Sequence, residues 1–474
     1  MKKTNRLPEL IAATALLFAG CSNDEVVNVY QGEAISFNTR VSTRATVTTL
    51  ANLNAFKVYA DAPGYDEMFI DGAVATKEEG SQSNNHYQLL NPDGTGNYYW
   101  PSNINSIRFW AYGPAGNADE KDDFKVDKDA TTINAGRQEL ANIVPEVSLT
   151  EGGKTQKDLV LAYSDIKRND ATGMRVPLKF VHALSQINVT AKNGNNAGDK
   201  LVYIKGAWLM QVHGQGTMIF AKTKDPDTTT PYPEIHENWM HWKPATNIFK
   251  DYGIVKSNKA VTSEELGPQE LLLGSSDTPL IGGEQTENGS STNLMLIPQQ
   301  RNEYKFEAKD QEKQEGAYIL LLCRVVAKHP GAFHPEGEDV NAQAGTKAED
   351  AYHYHQLFPV NNEGKINPKE FGYTCVPIEI NWLPGKKYTY KLTFCGKNSG
   401  AGVYPPDLPA DWKPLEPDYN NDVEIVYRPE GAPGSDSDKK PGDPVLDQPI
   451  TFEVAVTDWV TTGNPEEDKP TDMK

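Results

Sequence analysis

Val376-Pro-Ile-Glu-Ile-Asn-Trp-Leu-Pro-Gly-Lys-Lys-Tyr-Thr-Tyr-Lys-Leu-Thr-Phe394 sets the fold class. Two runs alternate apolar and polar residues at the two-residue period of a strand, and Leu383–Lys387 between them carries a Pro-Gly turn signal. Folding the chain back about Gly385 sets Val376 opposite Phe394, Ile378 opposite Leu392 and Ile380 opposite Tyr390 on one apolar face. On the other face Glu379 meets Lys391 and Cys375 meets Cys395. Matched cross-strand pairs contribute roughly 0.2–1 kcal/mol each, and a one-residue slip would scatter the apolar set over both faces. Opposed strand cysteines have Cα separations near the disulfide range. In an oxidising compartment Cys375–Cys395 is therefore a candidate disulfide, with Cys323 left as a buried strand residue.

The same alternation recurs along the chain. Earlier strand-like runs are Ala34–Val41, Ala55–Ala60, Ile107–Tyr112, Asp158–Tyr163, Val176–Phe180 and Gln186–Ala191. Later ones are Leu201–Met210, Asn293–Ile297, Ala317–Val326, Tyr373–Ile380, Tyr388–Phe394 and Pro449–Val456. Gly, Pro and Asn punctuate them, no long helical periodicity intervenes, and no repeat of solenoid length is present. The pattern predicts an all-β chain of the β-sandwich class. The polar patch Asn193–Lys200 divides the runs into two groups and is the expected domain boundary. Lys222–Val255 and Lys328–Pro359 read as long insertions between strands of the second domain. The Pro-, Gly- and Asp-rich stretch from Ser399 to Gln448 reads as an extended or partly disordered connection to the last strand.

At the N-terminus, Lys2, Lys3 and Arg6 precede a short apolar run, Leu10–Phe18. A membrane-spanning helix needs about 20 apolar residues, so this run reads as a signal peptide. Leu17-Phe18-Ala19-Gly20 before Cys21 is similar to a lipobox, in which the cysteine is acylated and becomes the new N-terminus; Phe18 stands where Leu is commoner. Ser-Asn-Asp-Glu follows and is similar to the acidic tag of surface-exposed lipoproteins in the Bacteroides group. The expectation is export, anchoring to outer-membrane lipid through Cys21, and display at the cell surface.

Of the 474 residues, 46 are basic and 65 acidic, a net charge of −19 that argues against a nucleic-acid partner. Length alone allows two or three domains, at about 150 residues each. No nucleophile elbow, zinc-protease helix, phosphate loop or dinucleotide fingerprint occurs, so neither an enzyme nor a cofactor is expected. His353-Tyr-His355 would put two imidazoles on one side of a strand, but no further ligand stands at a metal-site spacing, so no metal is expected either. His236, Trp239, His241 and Trp242 form an aromatic cluster. It would either stack on a sugar or host protein from an exposed loop or pack over the sandwich; burial is the commoner fate of such rings.

Six stretches taken together resemble the fimbrillin family, the subunits of Bacteroides-type (type V) pili. They are Ile35–Ala45, Tyr99–Pro101 with Ile107–Tyr112, Leu178–Val189, Leu296–Gln299, Trp382–Tyr390 and Ile450–Trp459. The resemblance implies two transthyretin-like β-sandwich domains in tandem, residues 45–192 and 200–474, after a signal peptide (1–21) and a propeptide with the first strand (22–44). It also implies a structural or adhesive role without enzymatic activity, and other pilus subunits as partners. In the family an Arg-specific protease removes the lipidated N-terminal piece; Arg44 fits best as the cleavage position, with Arg40 the alternative. The strand so lost, with Ile35, Phe37 and Val41 on one face, would leave a groove for a strand of the next subunit. Ile450, Phe452, Val454 and Val456 alternate on one face and are the expected donor.

Overall fold

The computed structural model describes residues between 34 and 459. Residues 1–33, 42–52, 116–132, 221–239, 256–271, 331–351, 413–423, 427–438, 460–474 and several shorter loops lie outside the described residues. Cys21, Arg44, His236 and Trp239 are among these.

The first half of the chain gives β1 (Ser36–Val41), β2 (Ala55–Asp61), β3 (Ile70–Lys77), β4 (His86–Leu89) and β5 (Ser106–Gly113). It continues with β6 (Ile133–Asn134), β7 (Arg137–Ile143), β8 (Val160–Lys167) and β9 (Arg175–His182). The second half gives β10 (Ser185–Asn193), β11 (Lys200–His213), β12 (Gly216–Phe220), β13 (Met240–Pro244), β14 (Phe249–Val255), β15 (Thr278–Ile281), β16 (Leu294–Leu296) and β17 (Gln299–Arg301). After them come β18 (Ala317–Pro330), β19 (Tyr352–Phe358), β20 (Glu370–Ile378), β21 (Ile380–Trp382), β22 (Lys386–Phe394), β23 (Glu424–Val426) and β24 (Thr451–Asp458). The all-β class stands, and every strand-like run of the sequence has its strand.

In the first unit one sheet closes on itself in the order β1-β4-β3-β2-β5-β8-β9. The second unit is a sandwich. One sheet runs β15-β10-β22-β24, with β16 beside β10; the facing sheet runs β14-β11-β18-β20-β23, with β19 beside β18. Ile187, Val189, Ile204, Ile319, Val376 and Leu392 fill the core between them. The near-continuous apolar run of β18 is explained by burial on both faces: Ile319, Leu321 and Cys323 face that core, while Leu320 and Leu322 face an aromatic layer with Tyr203, Trp208, Phe371 and Tyr373. A small sheet, β13-β12-β7-β6, joins the halves, because β7 pairs with β12. Over the same junction the Gln156 side chain stands in for a strand, donating to Met295 O at 3.0 Å and accepting from Met295 N at 2.7 Å.

Three sequence expectations change. The Val376–Phe394 hairpin does not form: β20 pairs with β18 and β23, whereas β22 pairs with β10 and β24. The turn at Gly385 exists, with φ +66°, but β21 leaves to pair with β17. Val376, Ile378 and Ile380 therefore meet Tyr388, Tyr390 and Leu392 across the sandwich core, face to face and not side by side. Asn193–Lys200 is a turn between the two sheets of the second unit, held by Asn193 Nδ2 donating to Lys200 O at 2.7 Å. The chain passes from the closed sheet into the sandwich at Ala183–Leu184, between β9 and β10. Finally, the two long insertions contribute strands: β14 extends one sheet beside β11, and β19 lies beside β18.

Candidate functional site

The first and last strands among the described residues, β1 and β24, make the site. β1 is the stave that closes the first unit: it runs parallel to β9 from Ser36↔Arg175 to Val41↔Phe180, and antiparallel to β4 from Ser36↔Gln88 to Asn38↔His86. Period-two alternation turns Ile35, Phe37 and Thr39 inward, all at most 1% exposed, with Ser36 and Asn38 half-buried between them. The Phe37 ring meets Phe56 at 5.7 Å and Phe109 at 5.8 Å edge to face, and Phe56 continues the cluster to Phe180 at 4.9 Å. Thr39 Oγ1 donates to Asn85 O at 3.3 Å, and Thr39 N reaches the same carbonyl at 2.8 Å. Beneath it the Tyr87 hydroxyl donates to Leu53 O at 2.5 Å; burial pushes its pKa up to about 12, against the Thr39 hydrogen bond. Without β1, β4 and β9 would each lose a ladder and an apolar slot would open between them.

β24 is placed differently. It is an edge strand, paired antiparallel with β22 from Lys386↔Asp458 to Thr393↔Thr451. Lys391 and Glu453 pair at 3.6 Å, and Lys386 pairs with Asp458. Among the expected donor residues Ile450 is buried, Val454 and Val456 are only half-buried against the sandwich core, and Phe452 is 39% exposed. The Pro-rich stretch before it is fixed where it is described: Thr374 Oγ1 donates to Ala401 O at 2.7 Å, Val403 bridges to Cys375, and Tyr404 N donates to Asp443 O at 2.9 Å. Any outward movement of β24 therefore hinges close to Pro449.

The expected disulfide falls with the hairpin. Cys375 faces the aromatic layer outside the six-stranded sheet, Cys395 lies in the sandwich core beyond the end of β22, and both are free, as is Cys323. Burial raises all three thiol pKa values, Cys395 to about 11, which keeps them protonated and unreactive. Trp242 is wholly buried between the units and is no exposed platform; His241 is half-buried. His355 packs edge-on against His329 at 5.3 Å, and among the described residues no group of ligands suited to a metal ion occurs.

A feature with no sequence forecast lies at the far end of β24. Trp459 is 2% exposed and stacks flat on His182, with centroids 4.2 Å apart at 8°, and His182 Nδ1 lies 2.6 Å from the buried Asp158 carboxylate. All three residues stand in or beside strand runs legible in the sequence, but only the fold brings them together.

The family model described as fimbrillin-like matches residues 43–318, more than half of the chain. The chain belongs to the fimbrillin-like family. Among solved structures, this fimbrillin-like chain is similar to a fimbrial protein from Bacteroides vulgatus, at 16% identity over 76% of this chain and 94% of that one, with a TM-score of 0.39. It is also similar to a protein named for cell adhesion from Parabacteroides distasonis, at 10% identity over 91% and 99% of the two chains, TM-score 0.38. Another, from Bacteroides ovatus, gives 12% over 77% and 92%, TM-score 0.35. No curated protein matches the fimbrillin-like chain. Among its described residues no helix is long and apolar enough to cross a membrane.

Proposed function

We propose that the chain is a structural or adhesive subunit of a cell-surface pilus, delivered to the outer membrane as a lipoprotein through Cys21 and polymerised by strand exchange. The observation that carries this reading is the contrast just described: a buried N-terminal stave whose removal opens a slot, and a half-exposed C-terminal strand able to fill one. Family membership supports the general role. Arg44 lies just past the end of β1, whereas Arg40 lies within it, paired opposite Lys179. A protease needs an unpaired substrate, and the pairing of Arg40 within β1 counts against a cut there, which leaves Arg44, outside the described residues, as the preferred position. Once β1 has left, the Ile450–Val456 strand of another subunit fills the slot by β-strand addition. The implied partners are other subunits of this fold, an Arg-specific protease and, for the assembled fibre, a host protein or glycan.

N-terminal sequencing of protein shed from the surface tests the cut. A start at Ala45, or at Val41 for the alternative site, supports it, and an exclusively acylated Cys21 species sinks it. A chain truncated before Pro449 should enter no polymer; if it still polymerises, this strand is not the donor. A second reading, a permanently lipid-anchored adhesin or glycan-binding protein of the same fold, draws on the pairing of β1 along both edges, which suits a chain that keeps it.

A further inference from the structure

We propose that Trp459, His182 and Asp158 form a latch that holds the C-terminal strand on its own subunit and senses whether β1 is in place. The second half of this statement rests on the strand-exchange reading above; the first half does not. The retention of β24 is concentrated at its ends. Its central side chains are exposed or half-buried, while Ile450 before it and Trp459 after it are 5% and 2% exposed. Ile450 sits in the sandwich core, but Trp459 lies in a different cluster at the junction, with Trp110, Leu159 and Leu161 of the first unit and Leu184, Met295 and Ile297 of the second. A strand whose ladder partner among the described residues belongs to the second unit is thus fastened partly through the first, by the stack of Trp459 on His182 of β9. The backbone agrees: Trp459 N donates to Gly385 O at 2.8 Å, and Gly385 N donates to Leu184 O at 2.9 Å, where the chain crosses between units.

The link to β1 runs through β9. Residues 175–180 of β9 pair with β1, and the pairing of β9 with β8 covers only Leu161↔Val181 and Val160↔His182. His182 is thus the end of a strand that depends on β1 for most of its ladder. Its ring is held between the Asp158 carboxylate and the Trp459 face, and neither Trp459 Nε1 nor His182 Nε2 has a protein hydrogen-bond partner. Flat stacking and burial do the holding, and both need His182 in register. When β1 departs, β9 loosens, the His182 ring loses its fixed plane, and Trp459 is released with the strand behind it. A subunit then offers its donor strand only after its own slot has opened, so uncut precursors do not assemble prematurely.

Hydrogen exchange by mass spectrometry on the full chain tests both halves. Trp459→Ala should speed exchange of residues 451–458 by about tenfold or more while β10 and β18 keep their protection. If β10 or β18 is also deprotected, Trp459→Phe, which keeps a buried ring, should still speed the segment about threefold. Phe37→Ala, which loosens β1, should speed exchange in 175–180 and in 451–458, but should add nothing at 451–458 when Trp459 is already Ala. Unchanged exchange at 451–458 in both Trp459 variants overturns the latch. Multiplying effects of Phe37→Ala and Trp459→Ala overturn the coupling. Polymer formation is not read here, so failure of the latch and failure of strand donation remain separate results.

Discussion

β1 and β24 are both short alternating strands at the two ends of the described residues, yet the fold treats them in opposite ways. β1 is paired on both edges and turns Ile35, Phe37 and Thr39 into a closed core. β24 is paired on one edge, with Phe452 39% exposed. Alternation supplies each with an apolar face, but only the closed sheet gives that face full cover. The difference bears on assembly: the strand that is costly to lose leaves a slot that must be refilled, and the strand that is poorly covered at home gains by refilling one. Exposed edges of this sort invite pairing with another chain, which proteins ordinarily suppress.

The sharpest way to break the contrast is a pair of matched truncations. Phe37→Ala in the full chain should cost about 3–5 kcal/mol in urea unfolding, as expected for a phenyl ring removed from a packed core. An undiminished midpoint would mean that β1 is already loose in the uncut chain. Exchange in the wild-type chain gives the next largest effect. Amides of β24 should exchange about tenfold or more faster than those of β1, by local opening that leaves the core intact; equal protection would remove the asymmetry. Phe452→Ala should then cost only about 1 kcal/mol, since its ring meets Tyr390 at 6.4 Å from an exposed position. A loss comparable to that of Phe37→Ala would show that β24 is as firmly seated as β1.

The strands themselves were legible because a half-buried strand advertises its period. Partnership was not. Val376, Ile378 and Ile380 complement Tyr388, Tyr390 and Leu392 whether they lie beside each other in one sheet or face each other across a core, and the alternation is the same in both cases. The structure chose the second, so the Cys375–Cys395 register vanished while the apolar complementarity survived. The polar Asn193–Lys200 patch misled for a similar reason, since Asn and Gly serve a tight turn as well as a linker. At the candidate site the alternating faces of β1 and β24 could be read, but the Asp158–His182–Trp459 stack could not. It joins positions far apart in the chain, and nothing local in Asp158, His182 or Trp459 names the other two.

The smallest effect concerns what charge adds to β24. Lys391–Glu453 and Lys386–Asp458 tie the strand to β22, but the Glu453 and Asp458 side chains are 73% and 63% exposed. Exposed pairs of this kind contribute roughly 0.2–1 kcal/mol, because water already solvates both partners and ordering two long side chains opposes the gain. Asp458→Asn should accordingly cost about 0.5 kcal/mol or less in low salt. The difference from wild type should vanish near 1 M salt, where the screening length falls to about 3 Å. A larger, salt-resistant loss would mean that the end of β24 is held by the charge at Asp458, and retention would no longer need the buried Trp459 ring beside it. A small, screened loss leaves burial at the two ends as what keeps this half-covered strand at home, in contrast to β1, which is held along its whole length.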